Sequence, residues 1–137
     1  MATVFGDGVA AIANDLRARL SDRGESYAQG VTVATRTPSD REPHNGPTPL
    51  VVVSQDGPGT IQQAANARTV IRLAVWHATD DDAHDLAALC HGLATDHRGP
   101  VVRAVLPGTS AVRATDPDTG EPMAWATVRA LLAPRVV

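Results

Sequence analysis

The side chains with the greatest chemical potential crowd into one stretch of the chain. His77, His84, His91 and His97 stand beside Cys90 and the acidic residues Asp80, Asp81, Asp82 and Asp85. These are the residue types of a transition-metal site or a nucleophilic centre. Their spacing supports neither. His84 and His91 are seven residues apart, a rise of about 10.5 Å along a helix, too far to chelate one ion without a third element between them. No pair stands at i, i+4 as in His-Glu-x-x-His. Cys90 falls on an apolar stripe and reads as a small core residue. Ser110 lacks the flanking glycines of a nucleophile elbow. The aspartates read as the capped, solvated start of a helix. Asp56-Gly57-Pro58-Gly59 is glycine-rich, but no Lys-Ser/Thr follows to complete a phosphate cradle. No catalytic, metal-binding or cofactor-binding residue is assigned, and no enzyme is expected.

The stretch 68–98 also organises the fold. Residues 68–76 alternate as a strand, with Ile71, Leu73 and Val75 on the more uniformly apolar side and Val70, Arg72, Ala74 and Trp76 on the other. Thr79 or Asp80 can cap the helix that follows. Ala83, Leu86, Ala87, Cys90, Leu93 and Ala94 recur on it at helical spacing, giving one stripe that needs a sheet to lie on. Arg98-Gly99-Pro100 closes this unit. Upstream, residues 4–21 read as a first helix with Phe5, Val9, Ile12, Ala13, Leu16 and Leu20 inward, Asp7 in solvent and Gly24 as a stop.

The remaining segments read as strands and connections. Residues 31–36 form a short β-branched strand, and 37–49, with Pro38, Pro43, Pro47 and Pro49, an extended connection. Residues 50–54 form a central strand, and 55–67 a long hairpin loop leading into 68–76. Strands at 101–106 and 110–115 follow. Asp116-Pro-Asp-Thr-Gly120 makes a hairpin loop with Gly120 at positive φ. The last strand, 122–132, places Trp125, Thr127 and Arg129 on one side and Ala124, Ala126, Val128 and Ala130 on the other. The expectation is one α+β domain over residues 1–137, a largely antiparallel or mixed sheet with two helices on one face. Nothing in the chain is left to cover the opposite face, and a strand apolar on both sides should be buried on both. A subunit interface is therefore expected there.

Composition narrows the partners. The formal charge is −3, and no basic cluster is expected because the arginines are scattered, which argues against a phosphate-gripping protein. All 12 basic residues are Arg, which, with abundant Ala, points to GC-rich coding in a high-GC bacterium or a virus of one. The single Cys fits a reducing compartment. No secretory signal and no membrane span is expected.

The element order resembles that of siphophage tail terminator proteins, the lambda-type neck fold, especially from phages of high-GC actinobacteria. The matching parts are the helix at 4–21, the strand at 31–36 with its proline-rich connection into Pro49-Leu-Val-Val-Val53, and the strand ending Ala74-Val-Trp76. The acid-and-Ala helix from Asp80 to Thr95, Gly99-Pro-Val-Val102 and the closing hairpin around Asp116-Pro-Asp-Thr-Gly120-Glu-Pro122 complete the match. The resemblance implies a structural virion protein of the tail or neck, assembled in the host cytoplasm. It would form a homo-hexameric ring that caps the head-proximal end of the tail tube, stops tube polymerisation and joins head to tail. Partners would be the major tail tube protein and head–tail connector proteins, with DNA passing through the lumen without specific binding. Gln62, Gln63 and Asn66 are expected to contact tube or lumen, and Arg72 and Trp76 to lie at the subunit interface. The rival readings are a head-completion or stopper protein, a small histidine-dependent metal enzyme, and a bacterial domain that binds another protein as a monomer.

Overall fold

The computed structural model describes residues 1–37, 48–62 and 66–137, with Gln62 and Asn66 described in backbone only. The proline-rich stretch 38–47 and Gln63 lie outside the described residues.

The chain runs β1 (Thr3–Phe5), α1 (Gly8–Leu20), a 3-10 turn (Ser26–Ala28), β2 (Thr32–Ala34), β3 (Leu50–Gln55), β4 (Thr60–Gln62), β5 (Asn66–Trp76), α2 (Asp80–Thr95), β6 (Val102–Pro107), β7 (Val112–Thr115), β8 (Pro122–Leu132) and β9 (Pro134–Val136). It is an α+β fold in which both helices pack on one face of a mixed sheet, as the alternation of apolar residues implies. The main sheet has the order β2-β3-β5-β8-β6. β2 lies parallel to β3, and every other pairing in this sheet is antiparallel.

The central pair β5–β8 is flanked on each side by an interrupted strand. β3 and β4 lie in succession along one side of β5, because Val53 pairs with Leu73 and Thr60 with Arg68. The turn at Gly57-Pro58-Gly59 bulges out between them. The segment 55–67, expected as a long hairpin loop, thus contains a further ladder: Thr60, Ile61 and Gln62 pair with Arg68, Ala67 and Asn66. β6 and β7 likewise follow each other along β8. At their junction Gly108 N–H donates to the Thr127 carbonyl at 3.1 Å and Thr109 N–H to Thr127 Oγ1 at 2.8 Å. A Cβ on Gly108 would lie 2.5 Å from Thr127 Oγ1 and 2.8 Å from its carbonyl oxygen, so this close crossing needs glycine.

The N-terminal expectation is corrected. The helix begins at Gly8, and Phe5 belongs to β1, where it pairs with Pro134 of β9. Asp7 faces solvent as expected, but it stands before the helix as its N-cap, its Oδ1 accepting from Ala10 N–H at 3.0 Å. A side-chain acceptor there satisfies one of the helix's orphan donors and fixes its start. The helix ends at Leu20, before Gly24 is reached. α2 starts as expected, with Thr79 Oγ1 capping Asp82 N–H at 3.1 Å, and ends at Thr95. Gly120 has φ +74° in the β7–β8 turn.

The main core lies between sheet and helices. Ile71, Leu73 and Val75 of β5, Val51 and Val53 of β3 and Ala124, Val128 and Ala130 of β8 meet Ile12, Leu16, Leu86 and Cys90. Alanine on β8 lets the helices lie close, which suits a chain poor in aromatics. Leu73→Ala should lower the unfolding free energy by about 2–5 kcal/mol, because the rigid strands on either side cannot close the cavity. Urea titration should show a lower midpoint at unchanged slope.

Candidate functional site

The second sheet face divides into two halves. At the end reached by Trp76, Leu50 and Val52 of β3, Ala74 and Trp76 of β5 and Met123 of β8 form a buried cluster, with Ala34 and Ala114 against it. Trp76 is only 6% exposed. Its indole N–H donates to Asp116 Oδ2 at 2.8 Å, across from the β7–β8 turn. This corrects the expectation that the chain leaves the face bare: part of it is buried within one chain. Trp76, expected at a subunit interface, belongs to this internal cluster.

Asp116 is a compact latch. Its Oδ1 accepts from the backbone N–H of Asp118 at 2.9 Å and of Thr119 at 3.4 Å, while Oδ2 holds the indole. Burial pushes its pKa up, but the bonds from Trp76, Asp118 and Thr119 outweigh this and hold it below the ordinary 3.8.

The other half of the face is open and carries arginine. Register places Arg68, Val70 and Arg72 of β5 opposite Leu131, Arg129 and Thr127 of β8. Side chains alternate, so these share one surface, joined by Trp125, Leu106 and Val112 through their pairings. Arg68 and Arg129 are exposed, and Val70, Arg72, Trp125 and Leu131 half-buried. The Arg72 guanidinium sits 4.6 Å from the centroid of the Trp125 ring, a cation–π contact. Arginines scattered along the sequence are thus gathered in space, which corrects the reading that no basic cluster forms. Arg72 lies on this surface as the alternation implied. Arg68, Arg129 and Trp125 were not singled out; their partnership with Arg72 appears only once 68–76 is set antiparallel against 122–132.

Gln62 and Asn66 pair across the β4–β5 ladder. Near the base of that hairpin is a cavity of about 510 Å³ between the start of α1 and β5, lined by Phe5, Gly8, Gln55, Ile61, Thr69 and Leu132 among others.

Among the described histidines, His77 and His97 join elements, and none converge on one point. His77 Nδ1 accepts from Ala78 N–H at 2.8 Å, so Nε2 carries the hydrogen and donates to the Tyr27 carbonyl at 2.9 Å. His97 Nδ1 lies 3.4 Å from Asp15 Oδ2, and Arg19 reaches both Asp15 and Asp96 at 3.3 Å, tying α1 to the end of α2. His84 lies beside Asp85 at 3.7 Å. Among the described residues no three His, Cys, Asp or Glu side chains come together as a metal-ligand group. Cys90 is buried, which pushes its thiol up to about 12. Ser110 is exposed. Among the described residues no helix is long and apolar enough to cross a membrane.

Compared with known proteins, the chain matches no family model, and no curated protein matches it.

Two outcomes follow from the buried groups. Asp116 is depressed in the folded state, so its contribution to stability is complete above the unfolded value of 3.8 and is lost as pH falls through the folded value. Asp116→Asn should flatten that acid limb in urea titrations run at a series of pH values, leaving the neutral-pH slope unchanged. Cys90, with so little thiolate, should react with an aromatic disulfide reagent only as fast as the protein unfolds. Labelling that tracks global unfolding in urea is the expected result.

Proposed function

We propose that this protein is a ring-forming structural component of a phage neck: a tail terminator that caps the head-proximal end of the tail tube, stops tube growth and joins the tail to the head connector. The observation that carries this reading is the open half-face, where Val70, Trp125 and Leu131 stand among arginines and neither helix covers them. An exposed mixture of Trp, Arg and aliphatic side chains is what a protein–protein contact buries. The resemblance in element order supplies the setting. Copies arranged head to tail in a closed ring would cover such a face on every subunit.

The β4–β5 hairpin supports a further part of the reading. Its ladder ends in the pairing of Gln62 with Asn66, and this end of the sheet is where a tube subunit or the lumen would be met. Homo-hexamer, tail tube protein and connector are the partners proposed, and the virion neck the location. No residue is assigned a catalytic role.

Deleting the gene in a phage that encodes it should yield headless particles with tails of uncontrolled length, measured by negative-stain electron microscopy. Tails of normal length with heads that leak DNA would instead assign the protein to head completion and reject the terminator reading.

A further inference from the structure

We propose that the arginine-bearing half of the sheet receives the acidic start of α2 from a second copy of this chain, an inference that rests on the ring reading and names its contact. Arg68, Arg72 and Arg129 lie within one strand pair. Arg72 stacks on Trp125, and Arg129 donates to the Pro107 carbonyl at 3.3 Å. None of the three forms an ion pair with a carboxylate among the described residues. Between Arg68, Val70 and Arg129 the surface dips into a groove of about 160 Å³, bounded also by Pro58 and Thr60. It is concave, positively charged and partly apolar, and the arginines that line it, Arg68 and Arg129, carry no carboxylate partner among the described residues, so they can receive one.

The same chain carries the complementary charge. Asp81 and Asp85 stand one helical turn apart near the start of α2, their side chains 83% and 53% exposed. Asp80 and Asp82 add to them, and Arg113, 2.7 Å from Asp81, offsets only part of the charge.

The two patches cannot meet within one molecule. α2 packs on the face of β5 that carries Ile71, Leu73 and Val75, and the arginines stand on the other. They also lie toward opposite ends of β5: from Arg68 to Trp76 the strand rises about 26 Å, and Asp80 comes only after Trp76. A two-fold dimer would need both patches on one side of the molecule. Patches on opposite sides pair only head to tail, which gives a ring where the rotation between subunits closes and a filament where it does not; the ring is taken from the proposed function. A nucleic acid could also meet three arginines and a tryptophan. A net charge of −3 and an acidic patch on the same chain that Arg113 offsets only in part favour a second copy instead.

Sedimentation velocity on the full chain tests this, comparing wild type with Arg68→Glu/Arg129→Glu, with Asp81→Arg/Asp85→Arg and with an equimolar mixture of the two. All the exchanged side chains are exposed, and circular dichroism and thermal unfolding check that each variant folds. Wild type should self-associate, more weakly as salt rises. Each variant should associate roughly 100-fold more weakly or worse. The mixture should recover association, since reversed arginine faces then meet reversed helix starts.

Variants that associate as wild type does would overturn the contact while leaving the ring reading intact. So would a wild type that stays monomeric at about 1 mM, well above the Kd of a specific contact. A labelled DNA duplex bound by wild type and lost in Arg68→Glu/Arg129→Glu, without self-association, would replace the second copy with nucleic acid. The terminator reading fails separately, in the tail-length experiment.

Discussion

β5 and β8 pair without interruption from Ala67 opposite Leu132 to Trp76 opposite Met123, and almost everything else in the molecule hangs on that ladder. β3 and β4 extend it on one side, β6 and β7 on the other. Because side chains alternate strictly, the register decides in one step which residues meet the helices and which face away. A slip by one residue would send Ile71, Leu73 and Val75 away from the helices and bring Arg68 and Arg72 beneath them. Burying guanidinium groups without partners is costly enough to exclude that alternative. The arginines therefore mark an outward surface and also help to specify the register.

The two faces are stabilised by different means. Under the helices the core is aliphatic and tight, with alanines on β8 keeping the separation small. On the far face a smaller cluster forms around Trp76 at one end only, closed by the turn that carries Asp116. The indole–carboxylate bond joins a residue at the end of β5 to the turn before β8, so it fixes the β7–β8 hairpin against the centre of the sheet. Because that cluster stops partway along the face, Trp125 and its neighbours are left at the surface with Arg72 stacked over the ring.

The polar side chains around α2 serve connection. Thr79 starts the helix, His77 fastens the strand end to the 3-10 turn, and the Asp15–Arg19–Asp96 group with His97 binds the two helices together. The acidic residues at the helix start favour its positive end and leave a negative surface on the side of the molecule away from the arginines. A single chain thus carries separated patches of opposite sign, the arrangement from which directional self-assembly arises.

The sequence alone determined the α+β class, the faces of the central and last strands, the start of α2 and the left-handed turn at Gly120. Each of these depends on local periodicity or local turn chemistry, which neighbouring residues express directly. The first helix is shorter than its apolar spacing implies, because that spacing continues back through Phe5 while the cap at Asp7 competes with it and wins. Only the tertiary structure decided that 60–62 pair back onto β5, that Trp76 is buried against Asp116 and that Arg68, Arg72 and Arg129 share a surface with Trp125. These facts depend on which strands pair and in what register. Pairing partners far apart in the chain are chosen by the combined burial of the whole sheet, and no single stretch of sequence contains that information.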